Sequence, residues 1–143
     1  RKHGTCTGLK DELQLIYPEV RQSRGLVLAT PVHFYNVSAL TKAFLDRLYC
    51  FFDFTHDHPR KYTSRLAGGG RRTVTAAVCE QVNEQDMGFT REAMRMPLLA
   101  LGYEVLNEVD AYGFFARGTV AESKEVLARC ETAGRGLARA LDE

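Results

Sequence analysis

Gly25-Leu-Val-Leu-Ala-Thr30 is a short apolar run, too brief for a helix and bounded by Arg24 and Pro31. It predicts a parallel strand buried on both faces. Working outward, two runs share its character: Arg72-Thr-Val-Thr-Ala-Ala-Val-Cys79, which follows a turn at Gly68-Gly-Gly70, and Tyr103-Glu-Val-Leu-Asn-Glu-Val109. Helical patterns lie between them. Leu40, Phe44 and Leu48 recur at i, i+4, i+8 with Ala43 and Leu45 alongside, and Ser38 stands at the N-cap. From Thr90 the set Ala93, Met94, Leu98 and Leu101 leads to Gly102, a left-handed stop that sets Tyr103 against Leu98 in a Schellman motif. Pro97 is expected to kink or split that helix. Thr119-Val-Ala-Glu122 reads as a capping box opening a last helix that buries Val126, Leu127, Cys130, Leu137 and Leu141, with Gly134 and Gly136 weakening its second half. A short helix from about Asp11 to Ser23, interrupted by Pro18, comes first. Strands alternating with helices predict an α/β fold with right-handed crossovers and a parallel sheet.

The composition is that of one folded domain over residues 1–143. It is 45% hydrophobic, 10% aromatic and 26% charged. With 19 Lys and Arg against 18 Asp and Glu, the net charge is +1, which argues against a dedicated nucleic-acid binder. No apolar run approaches the ~20 residues a membrane span needs. Cys6, Cys50, Cys79 and Cys130 are widely spaced in a chain too long to depend on disulfides, and they read as reduced thiols of a cytoplasmic protein.

Ligands of open α/β sheets bind outside the carboxyl ends of the strands, a rule that selects three loops. Pro31-Val-His-Phe-Tyr-Asn-Val-Ser38 brings three rings and backbone amides running into a helix N-terminus. It suits either a flat aromatic ligand or a packed strand–helix corner. Cys79-Glu-Gln-Val-Asn-Glu-Gln-Asp-Met-Gly88 is long and polar, a solvated connection on its own terms. Tyr112-Gly-Phe-Phe-Ala-Arg-Gly118 could close over a ligand or serve an interface. Phe51-Phe-Asp-Phe-Thr-His-Asp-His58 reads as a lid, a subunit contact or a dry flap, and His56 and His58 lack a third ligand at metal-binding spacing. Asp46-Arg47 reads as an ion pair at a helix end. Neither GxGxxG nor GxxxxGK[ST] nor G-x-S-x-G occurs.

Thr30-Pro-Val-His-Phe-Tyr-Asn-Val-Ser-Ala-Leu-Thr-Lys-Ala-Phe-Leu-Asp-Arg47 resembles a signature of the NAD(P)H-dependent FMN reductase and iron–sulfur flavoprotein family. Pro31, Val32, Phe34, Val37, Ser38, Ala39, Lys42, Ala43, Phe44, Asp46 and Arg47 carry the likeness. The resemblance implies a flavodoxin-like three-layer sandwich that is N-terminally incomplete, because family members begin with a strand, a phosphate loop, a helix and a second strand. Gly4-Thr-Cys6 followed by Lys10-Asp-Glu12 resembles the end of the family's cysteine cluster pattern, with Cys6 its last cysteine; Cys6 alone cannot build a 4Fe–4S cluster.

The same resemblance implies FMN and NAD(P)H as cofactors. Pro31, Val32, His33, Phe34, Tyr35, Asn36 and Val37 would meet the edge of the isoalloxazine ring, and Glu80 and Gln81 would cover its other side. Hydride would pass from the nicotinamide to the flavin, and from there electrons to a quinone, a flavin or a similar acceptor. No catalytic acid or base and no metal ligand is assigned. A homo-oligomer is expected, with Phe51, Phe52 and Phe54 suited to an interface. Two alternatives stay open: an electron-carrier flavoprotein, and a flavodoxin-like module without FMN that acts through its helices.

Overall fold

A computed structural model describes residues 5–6, 8–9 and 11–142. Asp11 opens the first helical segment by accepting a hydrogen bond from the Leu13 N–H, and a 3-10 turn, Glu12–Leu15, runs into α1, Ile16–Gln22. Pro18 falls in the first turn of α1, where its missing N–H costs nothing, so it does not interrupt the helix. Then follow β1 (Gly25–His33), β2 (Asn36–Val37), α2 (Ala39–Arg47), β3 (Phe52–Phe54), β4 (Tyr62–Ser64), β5 (Arg72–Val78), α3 (Thr90–Leu101), β6 (Glu104–Ala111) and α4 (Lys124–Asp142). The main sheet has the order β2-β1-β5-β6, and β3 and β4 form a separate ribbon. β1, β5 and β6 are parallel, paired from Gly25↔Arg72 to Pro31↔Val78 and from Arg72↔Glu104 to Val78↔Ala111, with a bulge at Leu106.

Alternation along β1 divides the core. Leu26 and Leu28 pack on one face with Tyr17, Val20, Leu45, Leu48, Leu98 and Leu101, so α1, α2 and α3 share that side. Val74 and Val109 face the other side, where Ala133 and Leu137 of α4 cover them. Val27 is in register with Val74, yet it remains 62% exposed. The expectation of a strand buried on both faces is therefore corrected. α4 lies over β5 and β6 and also reaches β1, where a Cβ on Gly25 would meet Leu141 Cδ1 at 2.6 Å.

Three helix readings also change. In α2 the buried stripe is Thr41 and Leu45, continuing to Leu48, and Leu40 points outward. Ser38 does cap α2 by accepting from the Thr41 N–H. α3 runs through Pro97 unbroken; the proline sits on a groove wall, where ring crowding meets open space while Met94, Leu98 and Leu101 hold both halves to the sheet. Thr119–Glu122 forms a separate 3-10 turn, and Ser123 caps α4 instead, its hydroxyl accepting from the Val126 N–H. α4 buries Val126, Ala133 and Leu137, whereas Leu127 and Cys130 are exposed and Leu141 is half-buried. The Schellman stop is present: Gly102 adopts φ +95°, and the Tyr103 N–H reaches the Leu98 carbonyl at 3.0 Å.

No helix among the described residues is long and apolar enough to cross a membrane. The four cysteines are free thiols.

Candidate functional site

β1 does not lead into an open loop. It continues to His33, turns over Phe34 and Tyr35, and returns as β2 with His33 opposite Asn36. Both turn residues have positive φ, +49° and +65°. Such tight hairpins favour Asn-Gly or Gly because the left-handed region costs an ordinary side chain ~1–2 kcal/mol. Two aromatic residues in these positions mark stored strain. The hairpin is pinned from outside: the Phe89 N–H donates to the Tyr35 carbonyl at 2.8 Å, and Gly88 approaches so closely that a Cβ would lie 2.3 Å from that oxygen. In consequence Phe34 is 95% exposed and packs edge-on against Tyr35, with ring centroids 5.8 Å apart.

Two of the amides expected to face a ligand on the way into α2 are used within the fold. The Val37 N–H is taken by Asn36 Oδ1, and the Ser38 N–H by Thr30 Oγ1. The rings, rather than those amides, are what the hairpin presents.

The second and third loops fold onto each other beside it. The Cys79 N–H donates to the Ala111 carbonyl, Gly113 to Gln81 and Phe114 to Cys79. A 3-10 turn, Glu84–Met87, buries Met87 among Val37, Ala77, Cys79 and Met94. Val32, Phe34, Tyr35, Cys79, Glu80, Gln81 and Asp86 then enclose an open cavity of about 170 Å³. Five of the nine sequence-predicted contacts thus come together. Pro31 and His33 do not line the cavity, Asn36 lines a different groove, and Val37 is buried in the core.

Sequence reading missed Arg91. From the first turn of α3 its guanidinium donates to Asp110 Oδ2 at 2.6 Å, Glu84 Oε1 at 2.7 Å and the Tyr112 hydroxyl at 2.5 Å. The Glu84 hydrogen bond, helped by Asp110, holds its proton more tightly than usual against the effect of burial. Burial, with Asp110 beside it, pushes the Tyr112 phenol up. No spacing motif marks this network, because its members are joined only across loop ends.

The remaining candidates lie elsewhere. Asp46 and Arg47 do not pair with each other: Asp46 binds Lys42, and the buried Arg47 binds Asp11 and the Tyr17 hydroxyl. Tyr49, Phe52, Phe54 and Tyr62 form a ring cluster on the β3–β4 ribbon, and no residue of the 51–58 segment lines the cavity. Among the described residues no group of three His, Cys, Asp or Glu could hold a metal. Gly4 and Lys10 of the cysteine pattern lie outside the described residues. A groove of about 640 Å³ between α2 and α3 is walled by Leu45, Tyr49, Phe52, Met96, Pro97 and Leu101.

Residues 1–95 match the family model of NADPH-dependent FMN reductase. An iron-sulfur flavoprotein of Archaeoglobus fulgidus is 36% identical over 72 residues, 50% of this chain and 36% of that protein. A protein described as a quinone reductase from Klebsiella pneumoniae superposes with a TM-score of 0.61 at 17% identity, covering 84% of this chain and 53% of that one. An FMN-dependent NADH-azoreductase from Bacillus anthracis, solved with FMN, gives 0.58 at 18% identity over 86% and 60%. At these identities the structural likeness is one of fold, and it bears out the flavodoxin-like α/β architecture. The chain spans little more than a third of the curated relative's length and between 53% and 60% of the solved relatives'.

Proposed function

The chain belongs to the NADPH-dependent FMN reductase family, and on that premise we propose that it is part of an FMN-dependent NAD(P)H oxidoreductase. One observation carries the reading. Two loops chosen from sequence for opposite sides of the isoalloxazine, 31–38 and 79–88, converge on one cavity at the carboxyl ends of the parallel strands.

The residues present fit one end of the cofactor. Phe34 and Tyr35 offer exposed ring faces, and an aromatic stack is worth ~0.5–1.5 kcal/mol beyond the area it buries. Gln81 can donate and accept, and the Glu80 and Asp86 carboxylates can accept from a ring N–H. No Lys or Arg lines the cavity, so it suits the uncharged ring and not the phosphate. Flavin supplies the hydride and electron chemistry when bound; the protein's part is to hold the ring edge and keep one face open to a nicotinamide and then to an acceptor. Acceptors of the quinone or flavin type follow from the same reading. So do a cytoplasmic location and self-association as a homo-oligomer.

The test is direct. Titrating the purified protein with FMN should quench flavin fluorescence, and NADPH should then bleach the yellow colour. Tyr35→Ala should weaken FMN at least tenfold. A protein that takes up no FMN overturns the reading in favour of a flavodoxin-like module without cofactor. One that binds FMN yet is not bleached by NADPH or NADH is an electron carrier.

A further inference from the structure

Arg91 differs from the other arginines in what it gathers. Its three partners come from two separate stretches of chain: Glu84 from the 79–88 loop, and Asp110 and Tyr112 from the end of β6 and the loop beyond it. Both loops also meet through the backbone, where the Gly113 N–H donates to the Gln81 carbonyl. Gln81 lines the cavity and Glu84 lies three residues on; Tyr112 is the neighbour of Gly113. Each attachment of the guanidinium therefore lies within three residues of the rung that joins Gly113 to Gln81. The α3 turn bearing Arg91 begins just after Phe89, whose N–H pins the Tyr35 carbonyl. One short stretch of chain thus reaches both walls of the cavity.

The charges sharpen the point. Glu80 and Asp86 line the cavity, and Glu84 and Asp110 stand behind it. Arg91 is the guanidinium bound to both rear carboxylates, and its side chain is 28% exposed against 13% for Asp110. Without it, Glu84 and Asp110 lose the one side-chain cation that pairs with both carboxylates. A planar five-donor group can hold three acceptors in one geometry; a lysine ammonium cannot reproduce that fork.

We propose that Arg91 is a positioning residue that locks the 79–88 and 112–118 loops into the shape that receives the ring edge of FMN. It touches no cofactor itself and acts through Gln81 and Glu80. The proposal rests on the FMN reading above, and its test separates the two.

Arg91→Met, Arg91→Lys and Glu84→Gln are compared with the parent protein. Arg65→Met, which breaks the Arg65–Asp53 pair on the β3–β4 ribbon, serves as control. Two readouts are used. In protein without flavin, hydrogen–deuterium exchange should rise at least tenfold within residues 79–88 and 112–118 for Arg91→Met, less for Glu84→Gln, and not at all there for Arg65→Met. In FMN titrations, Arg91→Met should raise Kd about tenfold or more, and its spectrum at saturating FMN should lose the resolved shoulders of ordered flavin. Arg91→Lys should restore binding only in part. Unchanged loop exchange in Arg91→Met overturns the proposal whether or not FMN binds. Loosened loops with unchanged Kd and spectrum overturn it too, reducing Arg91 to a structural tie. If the parent protein takes up no FMN, the functional reading fails and the assignment of Arg91 to the cofactor fails with it. Glu84→Gln keeps the question answerable if Arg91→Met does not fold, since Glu84 is mostly exposed.

Discussion

At the amino ends of β1 and β5, arginines close helix ends; at the carboxyl ends of β5 and β6, an arginine ties the 79–88 loop to the end of β6 and the loop beyond it. Arg71 donates to the carbonyls of Val20, Arg21 and Ser23 at the end of α1 and to Leu66, while Arg24 and Arg72 reach Leu141 and Ala140 at the end of α4. Carbonyls at a helix terminus carry partial negative charge, cannot titrate, and are fixed by the helix behind them. Arg91 instead binds two carboxylates and a phenol, two of them on loops. The lower end ties the ends of α1 and α4 to the sheet. The upper end keeps a cavity with exposed aromatic rings beside it. The same side chain secures stability where its acceptors are backbone, and shape where they are loop side chains.

This contrast can be broken by lesions that cross it. Leu98→Ala empties a site that is 0% exposed in the core beneath α3 and should cost ~2–5 kcal/mol in chemical denaturation. FMN affinity of the protein that stays folded should not change; a large rise in Kd would show that core and cavity are not separable. Gly88→Ala puts a methyl against the Tyr35 carbonyl at a positive φ, for a combined cost of ~2–3 kcal/mol, and this lesion should abolish tight FMN binding. Retained affinity would mean that the strained hairpin is not the ring wall. Arg71→Met removes the ties to α1, with an expected loss of about 2 kcal/mol in denaturant midpoint analysis and none in FMN affinity.

The smallest effect concerns Tyr103. Its hydroxyl is buried with no hydrogen bond of good geometry and the Arg71 guanidinium beside its ring, so Tyr103→Phe should change stability at neutral pH by less than ~1 kcal/mol. Burial pushes the Tyr103 phenol up, as it does for Tyr17 and Tyr112. A tyrosine raised in the fold keeps its full contribution below the unfolded value of about 10 and loses it as pH rises beyond. The melting temperature should therefore fall above pH 10, and less steeply in Tyr103→Phe. Identical alkaline slopes would show that Tyr103 does not sense its surroundings.

How much of this was legible depends on whether the signal was local. Ser38 as a cap and Gly102 as a left-handed stop are settled within a few residues, and both are found where expected. Met94, Leu98 and Leu101 were read correctly from their spacing. Leu40 and Val27 were misread because apolar character says that a side chain can be buried, not that a partner covers it. Thr119 and Glu122 have capping-box spacing, but Ser123 offers a competing cap nearer the buried Val126, and the helix starts there. At the site, the aromatic hairpin was seen as a loop because Phe34-Tyr35 carries no turn chemistry; only the pairing of His33 with Asn36 and the approach of Gly88 force it.

By itself the sequence determined the order of the three parallel strands and the helices around them, the membership of the chain in its family, and the two segments that meet at the carboxyl ends of the sheet. These follow from periodicity, caps and a dense motif, all read along the chain. Tertiary structure alone decided which of those residues face the cavity, that the Val37 and Ser38 amides are spent internally, and that Arg91 joins both loops. Those outcomes depend on which groups from distant segments reach one another first, since each donor is satisfied once and a hydrogen bond made inside the fold is no longer offered to a ligand.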